Sequence, residues 1–235
     1  MPIGRAKLIM EELEINKKAL KAVQELAQNY QKMFEDGKKM QKSISNFQNE
    51  SAYLLSTFGW YISDQIPYIE VLEILKAAKE KRIEYAESEL INYYRNNIVD
   101  IISRIISKNK DREKIIIEAL NAYKQGMFYA STILFLSQAD GICDGKIFVS
   151  GKNKLSTLDK DNTPPIIFAA LGKQSAIDED SRIIESNYNS DLNRHNVMHG
   201  LRCDYGNQLN SLKALSLLSF VANFANRYKD VTNMR

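Results

Sequence analysis

The chain is poor in the residues that carry most enzyme chemistry: it has two histidines, two cysteines and one tryptophan among 235 residues. Two cysteines, Cys143 and Cys203, are no disulfide framework and fit a reducing compartment. Four prolines and ten glycines are few, and Lys, Glu, Leu, Ile and Ala are plentiful, so helix is favoured over sheet. No apolar run approaches the ~18 residues that span a bilayer. The first ten residues lack the apolar core of a signal peptide and run into Glu11-Glu12. A soluble, cytoplasmic protein with no membrane partner is expected. The excess of one charge sign is small too: the net charge of +3 permits nucleic-acid binding without arguing for it.

What is present is helical periodicity over a chain that is 44% hydrophobic, enough to bury a core. An all-α fold is expected, with an N-terminal helical region over 1–110 and a helical bundle over 111–235. Ile9, Leu13, Asn16, Leu20, Val23, Ala27, Tyr30 and Phe34 alternate in steps of four and three, which predicts a helix over 6–36. That stripe suits either a coiled-coil dimerisation arm or a helix lying on its own bundle. Asp36-Gly37 is the expected stop. Further helices are expected over 44–63, from Pro67 to Lys81, over 83–107, over 112–139 and over 208–228 capped by Asn207. Trp60 reads as a core anchor, as do the tyrosines Tyr93 and Tyr94. Lys108 to Lys114 reads as a solvated charged turn. Residues 141–165 gather Gly, Pro, Ser and Asn and read as a loop insertion placed to cover a site. One or two short helices are expected over 165–187, an acidic stretch poorly suited to RNA.

Both histidines fall in one stretch, Asp191-Leu-Asn-Arg-His-Asn-Val-Met-His-Gly-Leu-Arg-Cys-Asp-Tyr205. Asp191 as N-cap and Gly200 as C′ residue predict a short helix between them. His195 and His199 are then i, i+4 on one face. Arg194 lies about 140° around the helix from His199 at roughly 100° per residue.

Arg194-His195-Asn196-Val197-Met198-His199 resembles the R-x4-H signature of the HEPN superfamily, with His195 where that family has Asn, Asp or His. Gly200, Asp204-Tyr205-Gly206, the opening Asn210-Ser-Leu-Lys213-Ala of the last helix, and the run Leu136 to Gly141 are similar to abortive-infection members. The resemblance covers roughly 115–228. It implies a HEPN-like helical bundle and a metal-independent endoribonuclease with no cofactor, leaving 2′,3′-cyclic phosphate and 5′-hydroxyl ends. It also implies a homodimer that joins two signature helices, and a toxin or phage-defence role with an antitoxin or regulatory partner. Some members carry a tyrosine two residues after the histidine, modified by a partner nucleotidyltransferase; here that residue is Leu201.

The residues fit such chemistry. RNA brings its own nucleophile, so a catalyst need only move protons and stabilise phosphate charge. Arg194, His195 and His199 supply those groups as catalytic residues, His199 for proton transfer and His195 for positioning. Arg202 and Lys213 are the nearest further cations for RNA phosphates, or else ordinary surface charges. Two other readings stay open. His195, His199 and Cys203, with Asp204 beside them, have zinc-like spacing, though Asn196 stands where a zincin-type glutamate would be. Alternatively the segment is an inactive module for RNA binding or protein interaction, its histidines satisfying hydrogen bonds at a helical interface.

Overall fold

The computed structural model describes residues 3–62, 65–143, 145, 170–171, 176–178 and 190–233, with side chains for 17, 18, 21 and from 23 to 223 within those ranges. Every regular element among them is helical, and no strand occurs. The class is all-α, as the composition predicts. The elements are α1 (Ile3–Ser56), α2 (Tyr68–Lys79), α3 (Ile83–Asn96), α4 (Ile98–Lys108), α5 (Glu113–Lys124), α6 (Phe128–Ile142), α7 (Arg194–Met198) and α8 (Gln208–Asn233). Short 3-10 turns lie at Lys110–Arg112 and Ala176–Asp178. The chain divides into two compact units, 1–47 and 48–235.

The first unit is the N-terminal part of α1. The helices expected over 6–36 and 44–63 are one helix, and Asp36-Gly37 does not interrupt it. A glycine inside a helix costs about 1 kcal/mol against alanine, too little to break one with no proline in its span. The described large apolar side chains of this unit lie open: Tyr30 is 64% exposed and Phe34 65%.

The second unit is built on α8. Its middle is buried all round, from Leu212 through Leu215, Leu218 and Phe220 to Val221. Helix α6 packs along it, α5 packs on α6, and α3 and α4 pack on α8 from elsewhere. Thus α3 and α4, N-terminal of the expected division at 110, share a unit with the C-terminal helices. The Ser131 and Ser211 hydroxyls, 2.7 Å apart, join α6 to α8 inside the core. Trp60 is a core residue as expected, 1% exposed and stacked on Tyr94 at 5.7 Å between centroids. Tyr94 donates to the Tyr61 carbonyl at 2.6 Å, and the Tyr61 amide donates to Ser216 Oγ.

Two expected long helices are each two. The 83–107 pattern breaks at Asn97, whose backbone amide and Nδ2 both donate to the Tyr93 carbonyl and so end α3. The 112–139 pattern breaks at Gly126, with φ +74. The Met127 amide donates to Ala122 and the Gly126 amide to Tyr123, a helix-closing motif that needs a left-handed residue. Helix α6 then runs one turn past expectation, through Asp140-Gly141 to Ile142. Arg112 explains part of this. Its Nη2 donates to the Gly141 carbonyl at 2.8 Å and its Nη1 to Gln138 Oε1, so a cation closes the C-terminal end of α6. Arg112 is therefore more than a member of a solvated turn.

Pro67 precedes α2 and Asn207 caps α8, its Oδ1 accepting from the Asn210 amide, both as expected. The proposed cover over 141–165 lies almost wholly outside the described residues. So do the helices expected over 165–187, save Ala170, Leu171 and the buried turn at Ala176–Ile177.

Candidate functional site

The signature segment forms a single closed turn, α7. Its N-cap is Asn193, not Asp191: Asn193 Oδ1 accepts from the Asn196 amide at 2.9 Å. Asn193 is buried and can face the helix start, whereas Asp191 is drawn toward Arg202. The other end closes as expected. Gly200 has φ +67, its amide donates to the Val197 carbonyl, and the Leu201 amide donates to the Asn196 carbonyl at 2.8 Å. Val197 is the buried side chain of the turn.

His195 and His199 are both exposed, with ring centroids 4.3 Å apart and planes tilted by 53°. The i, i+4 spacing thus puts the chain's two imidazoles side by side at a surface. Arg194 goes elsewhere. Its Nη2 donates to Asp140 Oδ2 at 2.8 Å, and the two side chains are 21% and 20% exposed. Asp140 Oδ1 is buried without a hydrogen-bond partner among the described residues. The pair fixes the orientation of the guanidinium.

Asp140, which reads from the sequence only as a helix end, is the carboxylate partner of Arg194. A signal was available: it is the one charged residue of α6, at the end that packs toward α7.

The segment after α7 is pinned to the core by aromatic residues. Tyr129 donates to the Cys203 carbonyl at 2.8 Å and meets the Tyr205 ring edge-on at 5.0 Å. Burial pushes the Tyr205 phenol above its ordinary pKa, so it stays protonated at neutral pH.

The two further cations sit differently from what RNA contact requires. Arg202 is held between carboxylates, donating through Nε and Nη2 to Asp204 and through Nη2 to Asp191 at 3.4 Å. The hydrogen bonds to Asp204 raise its pKa further and lower that of Asp204. Lys213 is 2% exposed, with Nζ 2.7 Å from Glu87 Oε1 and 5.8 Å from the Trp60 ring centroid. Glu87 Oε1 also accepts from Trp60 Nε1 at 3.1 Å. A phosphate on the surface does not reach a lysine packed this way. Among the described residues, no three His, Cys, Asp or Glu side chains converge to hold a metal ion, so His195, His199 and Cys203 are not gathered into a zinc set. Among the described residues no helix is long and apolar enough to cross a membrane.

No protein-family model, curated protein or solved structure matches this chain.

Proposed function

We propose that the chain is a metal-independent endoribonuclease of the HEPN kind, acting through Arg194, His195 and His199. The observation that carries this reading is the exposed imidazole pair, 4.3 Å apart, directly following an arginine anchored by a carboxylate. His199 takes the proton from the ribose 2′-hydroxyl as O2′ attacks phosphorus. The P–O5′ bond breaks, and a proton is delivered to O5′, so one proton is removed and one returned. His195 positions the neighbouring ring. Arg194, fixed by Asp140, faces the charge that develops on the phosphoryl oxygens. Arg194 and His199 lie far apart around a single helix, so the active unit in this reading is a two-fold dimer with both signature turns at its axis. RNA is the substrate, and a toxin or phage-defence role with an antitoxin or regulatory partner belongs to the same reading.

The ion pairs of Arg194, Arg202 and Lys213 favour a second reading, an inactive module that binds RNA or protein. Incubation with total cellular RNA in EDTA, followed by mapping of the ends, separates the two. Fragments ending in 2′,3′-cyclic phosphate and 5′-hydroxyl are expected. Intact RNA that is nonetheless bound supports the module, and cleavage abolished by EDTA overturns the metal-independent mechanism.

A further inference from the structure

The open apolar stripe of α1 has a spacing that selects its occupant. Val23, Leu26, Tyr30, Met33, Phe34 and Met40 are each 56–70% exposed. Together they present on the order of 800 Å² of apolar surface, about what each partner contributes to a stable protein–protein interface. A patch of that size on one helix marks an interaction surface. Its residues recur at heptad spacing: with Ala27 and Phe34 at position a, Val23 and Tyr30 fall at d, and Leu26, Met33 and Met40 at g. A face whose repeat is its own complement fits a second helix with the same repeat, which a second copy supplies.

The side-chain sizes select the direction of pairing. In a parallel pair each residue meets itself. Ala27 would face Ala27, Tyr30 would face Tyr30 and Phe34 would face Phe34, and the d layer at Gly37 would set glycine against glycine with no side chain to fill it. In an antiparallel pair, a residues meet d residues, and one register matches large to small at the central layers. It is the register in which the numbers of facing residues add to about 57, counted from the heptad spacing. Tyr30 then meets Ala27, and Phe34 meets Val23. A shift of one heptad either way breaks this, setting Val23 against Ala27 or Phe34 against Tyr30. Interdigitation of large and small side chains is what dense packing requires.

We infer that α1 is a dimerisation arm that pairs antiparallel with the α1 of a second copy, through Val23, Ala27, Tyr30 and Phe34, crossing between Gln28 and Asn29. This interface is independent of the proposed ribonuclease reading and of any contact at α7. The test uses the full chain. Analytical ultracentrifugation at micromolar concentration should give a dimer. Tyr30→Glu/Phe34→Glu, at exposed positions, should weaken association by roughly 100-fold or more while leaving the circular dichroism of the second unit's helices in place. A monomeric wild-type chain overturns the proposal, and so does a sedimentation profile that the double substitution leaves unchanged. Direction is read by disulfide trapping in a background with Cys143→Ser and Cys203→Ser. Val23→Cys chains mixed with Phe34→Cys chains should form the mixed dimer under mild oxidation, and neither should cross-link alone. Cross-linking of each variant with itself overturns the antiparallel register.

Discussion

Asp140 Oδ2 accepts a hydrogen bond from Arg194 Nη2 at 2.8 Å, across 54 residues of sequence. The bond ties the end of the central helix α6 to the turn that carries both histidines. Asp140→Asn keeps the shape and removes the charge that orients the arginine. In the ribonuclease reading, cleavage should fall by about 10-fold or more, with a smaller effect on RNA binding. Single-turnover kinetics beside a binding isotherm would show the split. Equal loss in both would make Asp140 a contributor to stability alone.

The residues of the turn should separate by role. His199→Ala and Arg194→Ala should each lower cleavage by about 10²-fold or more. His195→Ala should cost less, because in the ribonuclease reading it positions a ring and moves no proton. An oligonucleotide with one 2′-deoxy at the cleaved position should resist cleavage there, since the nucleophile is missing. Cleavage of that oligonucleotide, scored by gel against its all-ribo parent, would remove the 2′-hydroxyl from the mechanism.

Lys213 should behave as a core residue. Removing one partner of a buried ion pair costs about 3–5 kcal/mol. Glu87 keeps 24% of its side chain exposed, so Lys213→Ala should cost nearer ~2–3 kcal/mol, read as a shift in the urea midpoint. Lys213→Met with Glu87→Gln should recover most of the loss, because the glutamine oxygen still accepts from Trp60. The salt dependence of RNA binding should match wild type in that double variant. A slope reduced by about one would return Lys213 to the phosphate-binding set.

Acid should open the segment after α7 in a definite order. Hydrogen bonds from Arg202 hold the Asp204 carboxyl below its ordinary pKa. A carboxylate shifted down on folding stabilises the fold at pH above its unfolded value, and that contribution is lost as pH falls through the lower folded value. The Asp204–Arg202 clasp should thus persist from neutral pH down to about 4 and release below that. Hydrogen exchange at 200–207, compared with Arg202→Gln, would report the release. An identical acid profile in the variant would mean the clasp does not hold the segment.

The parts legible in the sequence were those governed by local rules. Pro67, Asn207 and Gly200 each act on neighbours within a turn, and each sits where its type predicts. The i, i+4 pairing of the histidines is likewise a property of one helix turn. What the sequence concealed depends on distant partners. Asn97 interrupts an unbroken apolar pattern with no glycine or proline nearby. Gly126 ends a helix although Gly37, of the same type, does not: the first takes a left-handed conformation between two packed helices, and the second stands inside an exposed one. Lys213 read as a surface cation because lysine usually is one. The contrary signal was its place within a stretch of helix that carries no other charge, where a buried charge requires a partner such as Glu87.

The turn α7 is held by Asn193 at one end, by Gly200 and the Asn196 carbonyl at the other, and by Val197 beneath. None of these holding groups is a histidine. The scaffold and its two imidazoles are accordingly separable under mutation: either ring can be exchanged while the backbone beneath keeps its course. Loss of activity in a histidine variant can therefore be read as chemistry and not as misfolding. By the same logic, a variant without either ring should retain the turn, so the shape of this surface does not depend on the imidazoles it displays.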